Sequence, residues 1–304
     1  MDLLKDQYSS EEESDEQELV KTGSVAKLKA VPQEILDKYH IAPNIDKYSE
    51  PMNLAATRGK WASFAFIEMR PSMHQRLVLD QLIRDVGAKL RASDLNFEPL
   101  HMSELGSPLP LHVSLSANFS FPTAGELDTF AKMLQIEVLQ KVPGTFSLEF
   151  QPRLQVYDNV DRNAFFLALD VAPAIKQAEI RQLRSAVEES IEFCRRDEDD
   201  IHDHSIDASP VRTAPYTWSH ERAHLSIARA FNPSLAHNFP AASSGDAWRS
   251  YRRRIDDLNE SLKTVPVGKE TLDALKFQCR GIKLTKQRSN LWIPFSTGED
   301  SLEP

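Results

Sequence analysis

Two short stretches of this 304-residue chain carry residues suited to acid–base chemistry: Leu111-His112-Val113-Ser114-Leu115 and Ala223-His224-Leu225-Ser226-Ile227. Both run apolar–polar–apolar–polar–apolar. In an extended strand alternate side chains share a face, so His112 stands beside Ser114 and His224 beside Ser226, while the apolar residues anchor the far side. Each strand then presents an imidazole and a hydroxyl on a rigid support. If both strands face one groove, two imidazoles flank one substrate, as cleavage of a ribose phosphodiester requires. One takes the proton of the 2′-OH as that oxygen attacks phosphorus; the other protonates the departing 5′-oxygen. Imidazole, with a free pKa near ~6.5, does either at neutral pH, and each transfer is worth about 10²–10⁴-fold. Serine hydroxyls and strand amides can donate to the phosphoryl oxygens as charge builds there. This chemistry needs no metal and no other cofactor. One such strand alone is as readily a core histidine tied to a neighbouring serine; the repetition of the pattern favours catalysis. A third His-x-Ser, at His101, runs into Glu104 and breaks the alternation.

The elements that must position these residues follow from periodicity. Residues 61–68 are rich in aromatic and β-branched side chains and read as a strand, and 111–116 alternate as another. Between them Leu79, Leu82, Ile83, Val86 and Leu90 recur at helical spacing, and Leu127, Phe130, Leu134 and Val138 mark a second helix. Residues 146–150, 154–157 and 164–169 are strand candidates. The stripe Ile180, Leu183, Val187, Ile191 is helical, 223–228 is a strand, and Trp248, Tyr251, Ile255, Leu258 and Leu262 form a further helix. Residues 275–284 and 291–295 close as strands. Strands and helices mix without regular β-α-β alternation, which argues for an α+β fold with antiparallel sheet.

Composition sets the frame. Hydrophobic residues make up 41% and charged residues 27%, enough for a sizeable core, and no apolar run reaches the ~20 residues that cross a bilayer. The N-terminus lacks a secretory pattern, and two cysteines, Cys194 and Cys279, build neither a disulfide framework nor a four-thiolate zinc site, so a reducing compartment is expected. The net charge of -9 resides in two segments: residues 1–20 carry -7 and residues 195–207 carry -4, leaving the remainder near +2. A phosphate-binding surface on the folded body is therefore compatible with the acidity. We expect a disordered acidic tail over 1–30, a linker with a short docking helix over 31–52, a catalytic domain of two lobes over 53–298 with an acidic insertion at 195–207, and a tail at 299–304.

Other residues have two readings each. Lys276, Arg280, Lys283, Lys286 and Arg288 fall in a stretch without an acid, and form either a stripe that tracks an RNA backbone or an ordinary exposed strand pair. Tyr157, Tyr216 and Trp218 are candidates to stack on bases, whereas Trp61 and Trp292 read as core. His202-Asp203-His204 has metal-like composition without a third ligand cluster nearby. Neither cysteine has the basic surroundings of a nucleophile.

The paired His-x-Ser strands resemble the 2H phosphoesterase superfamily, and the chain is similar to its U6 snRNA-trimming members, the Mpn/Usb-type 3′–5′ exoribonucleases. The similarity extends to Tyr8-Ser9-Ser10 with the acidic stretch after it, Val31-Pro32-Gln33-Glu34-Ile35-Leu36, Gly59-Lys60-Trp61-Ala62, Leu154-Gln155-Val156-Tyr157, Phe165-Phe166-Leu167-Ala168-Leu169 and Ser289-Asn290-Leu291-Trp292-Ile293-Pro294-Phe295. It implies a bilobal α+β fold with two antiparallel sheets and flanking helices around a central groove. It also implies His112 and His224 as catalytic residues, Ser114 and Ser226 as phosphate-binding partners, and Tyr216 as the aromatic that holds a terminal base. The expected activity is trimming of the U6 3′ end by 2′-OH transesterification, leaving a 2′,3′-cyclic phosphate or a 3′-phosphate. The expected setting is a nuclear monomer whose partner is RNA and not a membrane. The alternatives are a cyclic phosphodiesterase acting on 2′,3′-cyclic or ADP-ribose cyclic phosphates, and a non-catalytic RNA-binding module of the spliceosome.

Overall fold

A computed structural model describes residues 61–91, 95–158, 164–199, 219–231, 245–286 and 289–296. The acidic tail, the docking helix near Pro32, Tyr216, Trp218, His202–His204 and the C-terminal tail lie outside the described residues, as does the acidic insertion beyond Asp199.

Eleven strands and five helices make up the described fold. In chain order they are β1 (Trp61–Met69), α1 (Met73–Lys89), β2 (Glu98–Pro99), β3 (Leu111–Ser114), β4 (Phe119–Phe121), α2 (Ala124–Lys141), β5 (Phe146–Leu148), β6 (Phe150–Asp158) and β7 (Ala164–Val171). A turn of helix at Pro173–Ile175 and a π turn at Lys176–Ile180 then lead into α3 (Arg181–Asp199). β8 (His224–Phe231), α4 (Gly245–Leu262), α5 (Lys269–Ala274), β9 (Phe277–Cys279), β10 (Gly281–Lys286) and β11 (Ser289–Pro294) follow. Among the described residues the expected helices and strands are present, except that the strand expected over 275–284 divides into β9 and β10 and that over 146–150 into β5 and the start of β6. The short pieces β2, β4 and α5 are additions, too brief to show a period.

Nine strands form one antiparallel sheet in the order β11-β10-β1-β3-β8-β7-β6, with β4 on β1 and β2 on β8; β5 and β9 pair separately. The two expected sheets are thus continuous. Their seam is the β3–β8 contact, where a single pair, Val113 opposite Leu225, is in register. The sheet joins there because both strands have one buried alternate set, Leu111 and Val113 against Leu225 and Ile227.

Those residues belong to one core with Ala65, Ile67 and Met69 of β1, Leu79, Leu82, Ile83 and Val86 of α1, Leu127, Phe130 and Leu134 of α2, and Leu183, Val187 and Ile191 of α3. The helices cover that face of the sheet. Local chemistry fixes where they begin: Ser72 caps α1, accepting from Gln75 N at 3.2 Å while its own N–H donates to Gln75 Oε1 at 2.9 Å, and Thr123 accepts from Glu126 N at 3.2 Å at the start of α2. The edge strand β6 is closed by a side chain from α4. Asn259 accepts from Val156 N at 2.6 Å and donates to Val156 O at 3.2 Å, standing in for a further strand. Trp292 folds over Gly281, where a Cβ would lie 2.7 Å from the indole and 2.4 Å from Ile293 O, so this strand crossing admits only glycine.

Candidate active site

Alternation sends His112 and Ser114, and His224 and Ser226, to the sheet face opposite the core, and all four are half-buried. From the Val113–Leu225 pair outward, the antiparallel strands bring His112 toward Ser226 and His224 toward Ser114, so each imidazole neighbours the other strand's hydroxyl. The rings are close enough that a proton on His224 opposes one on His112. Strand register fills in the surroundings. On β1, Phe66 lies opposite Ser114 and Glu68 opposite His112; on β7, Ala168 lies opposite Ser226 and Asp170 opposite His224.

The two imidazoles are held differently. His112 is packed by aromatic edges, Phe64 at 5.8 Å and Phe66 at 5.7 Å between ring centroids, and among the described residues no hydrogen bond reaches either of its nitrogens. Burial, reinforced by the charge of a protonated His224, drops its pKa to about 4. His224 donates from Nδ1 to Arg222 O at 2.7 Å, which fixes the neutral tautomer with Nε2 unprotonated. Burial lowers its pKa too. The Arg222 bond and the Asp170 carboxylate pull upward, and the charges of Lys176 and Arg184 push down. The hydroxyls of Ser114 and Ser226 have no hydrogen-bond partner among the described residues.

Tyr157, named above as a candidate to stack on a base, lies at this site together with several groups that no motif announced. Tyr157 stacks on His224 with centroids 4.1 Å apart and planes 13° from parallel, and its hydroxyl donates to Asp170 Oδ1 at 2.9 Å. Gln155, its amide turned to suit both neighbours, donates to Tyr157 Oη at 2.6 Å and accepts from Arg153. Lys176 is buried and spans Glu221 O at 2.7 Å and Asp170 Oδ2 at 3.6 Å. Arg184, only 4% exposed, donates from Nη2 to Ser114 O at 3.1 Å, while its Nε and Nη1 have no hydrogen-bond partner among the described residues. A buried guanidinium with two unspent donors lies beside the site; burial lowers its pKa to about 10, leaving it charged at neutral pH. Of these groups only Asp170 carried a readable signal, a lone charge in the otherwise apolar β7; Arg184 sits in a helix dense with charge.

The basic stripe near the C-terminus reads differently in three dimensions. Lys283 is 1% exposed and paired with Glu68 at 3.2 Å, Lys276 pairs with Glu149 and Asp273 at 3.3 and 3.1 Å, and Lys286 pairs with Asp128. These lysines are neutralised by the chain's own carboxylates, and Arg288 lies outside the described residues. His101 is a buried histidine whose Nε2 lies 3.0 Å from Asp80 Oδ1, apart from the paired strands. Both cysteines are buried and outside any disulfide among the described residues, and burial pushes the Cys279 thiol up. Among the described residues no group of three or more His, Cys, Asp or Glu is arranged to hold a metal ion, and no helix is long and apolar enough to cross a membrane.

An antiparallel sheet whose central strands set paired imidazoles and hydroxyls on one face defines a two-histidine class of site. The chain belongs to the HVSL family, that of the Usb-type U6 snRNA phosphodiesterases: the family model described as "HVSL: Uncharacterised conserved protein" matches residues 30–289. The family's four letters stand here as His112-Val113-Ser114-Leu115. Among solved structures, Kluyveromyces marxianus Usb1 is similar at 22% identity and a TM-score of 0.62, covering 78% of this chain and 99% of that one. The same yeast protein with uridine monophosphate is similar at 23% identity and a TM-score of 0.60, covering 77% and 98%. At these identities the likeness establishes the fold. No curated protein matches the chain.

Proposed function

We propose that this protein is a 3′–5′ exoribonuclease that trims the uridine-rich 3′ end of U6 snRNA in the nucleus, with the two halves of the sheet acting as lobes around the cleavage groove. The observation that carries this reading is the set of unspent groups on one face: two neutral imidazoles and two free hydroxyls, with a buried guanidinium beside them. Family membership and the nucleotide bound by the yeast relative support a uridine-containing RNA as substrate.

The tautomer of His224 makes it the base. Its Nε2 takes the proton of the penultimate 2′-OH, the 2′-oxygen bonds to phosphorus, and the P–O5′ bond breaks with its electron pair on O5′. That oxygen takes a proton from His112, and the shortened RNA ends in a 2′,3′-cyclic phosphate. The low pKa of His112 rises when a phosphate anion approaches, since an adjacent negative charge favours imidazolium. Ser114, Ser226 and the positive charge of Arg184 stabilise the phosphorane oxygens as they gain charge. Water admitted afterwards opens the cyclic ester to a 3′-phosphate. His112→Ala and His224→Ala should each reduce trimming of labelled oligouridine RNA by ~10²–10⁴-fold while circular dichroism stays native. Trimming that persists in either folded variant overturns the assignment.

A further inference from the structure

We propose that Tyr157 is a positioning residue for His224: its ring sets the plane of the imidazole, and a buried Asp170–Lys176 pair sets the place of the ring. The proposal rests on the reading of His224 as the base. Tyr157 belongs to β6 and lies opposite Phe166 of β7, so it is two strands away from His224. Its side chain reaches across because Ala168, opposite both Gln155 and Ser226, carries no bulk at the crossing point. Ala168 is fully buried yet outside the helix-covered core, as a methyl beneath an aromatic ring must be.

The imidazole is thereby fixed in two independent ways. The Arg222 carbonyl holds Nδ1 and so determines rotation within the ring plane. The stack at 4.1 Å and 13° determines the plane itself. One cation ties both restraints together, because Lys176 Nζ donates to the carbonyl of Glu221, next to Arg222, and pairs with the carboxylate that receives the Tyr157 hydroxyl. Asp170 and Lys176 are each 6% exposed, so the pair sits where its attraction is little screened by water. A ring already committed to an imidazole on one face serves geometry, and geometry is what proton abstraction is sensitive to: a displacement of about 1 Å costs on the order of 10²-fold.

The test uses the full chain, with Tyr157→Leu and Tyr157→Phe and two readouts. The first is kcat and KM on oligouridine RNA. Tyr157→Leu should lower kcat by ~10–100-fold with KM within about twofold, and Tyr157→Phe, which keeps the ring but gives up its bond to Asp170, should recover part of that loss. The second is the ring-proton chemical shift of His224 without substrate, displaced upfield by the aromatic face in the native protein and in Tyr157→Phe but not in Tyr157→Leu. A Tyr157→Leu variant with raised KM and native kcat makes the residue a base-binding contact and overturns the proposal, as does a His224 shift that ignores the substitution. A native protein that cleaves no RNA overturns the reading of the site instead, and the stacking clamp then stands or falls on the chemical shift alone.

Discussion

His112 and His224 enter the folded state by giving up protonation, which ties stability to pH. Burial holds both folded pKa values below the ~6.5 of a free imidazole, His112 at about 4. Below pH ~6.5 the unfolded chain therefore binds more protons than the native one. The contribution is fully present above that value and is lost as pH falls toward 4. Urea midpoints should drop between pH 7 and pH 4.5, and His112→Asn, which cannot titrate, should remove about 1–3 kcal/mol of that drop; the upper figure is discounted because the side chain is half-buried. Equal pH slopes for the native protein and the variant would contradict the burial argument. In the proposed reaction the same desolvation would serve chemistry, because an approaching phosphate anion would supply the field that lets one imidazole of a neutral pair accept a proton.

At the scale of elements, the site depends on strands whose own edges are secured elsewhere. β6 carries Tyr157, and its outer edge is held by Asn259 of α4. Asn259→Leu leaves the buried Val156 N–H and C=O without these partners and should cost about 1–3 kcal/mol, read as a lowered urea midpoint. An unchanged midpoint would show that the edge needs no side-chain partner. The long elements were legible because period and burial coincide: the stripe Leu79, Leu82, Ile83, Val86 is the buried face of α1, and His112 and Ser114 alternate with buried Leu111 and Val113. Sequence could not give the order of strands, since pairings such as Phe66 with Lys283 join distant segments. The same limit hid the stack of Tyr157 on His224. It also made Lys283 look like an exposed cation, because its partner Glu68 sits on another strand.

For the whole molecule, the two halves of the described sheet join along β3 and β8, with Val113 opposite Leu225, and that seam brings one His-x-Ser strand from each half to a single face. The repeat visible in the sequence is thus the trace of a site assembled from both halves. Under the proposed function, an RNA at this face would meet exposed Arg153 and Arg222 beside Tyr157, whereas Lys276, Lys283 and Lys286 are paired with carboxylates. In the proposed reaction an internal 2′-oxygen is the nucleophile, and the two imidazoles move its proton and that of the leaving group. The decisive substrate is an oligouridine whose penultimate sugar alone lacks the 2′-OH, with release of the last nucleoside compared against the all-ribose strand. Release should stop at the deoxy position, and the all-ribose product should end in a 2′,3′-cyclic phosphate or the 3′-phosphate derived from it. Release at an undiminished rate from the deoxy strand, leaving a 3′-hydroxyl, would contradict it.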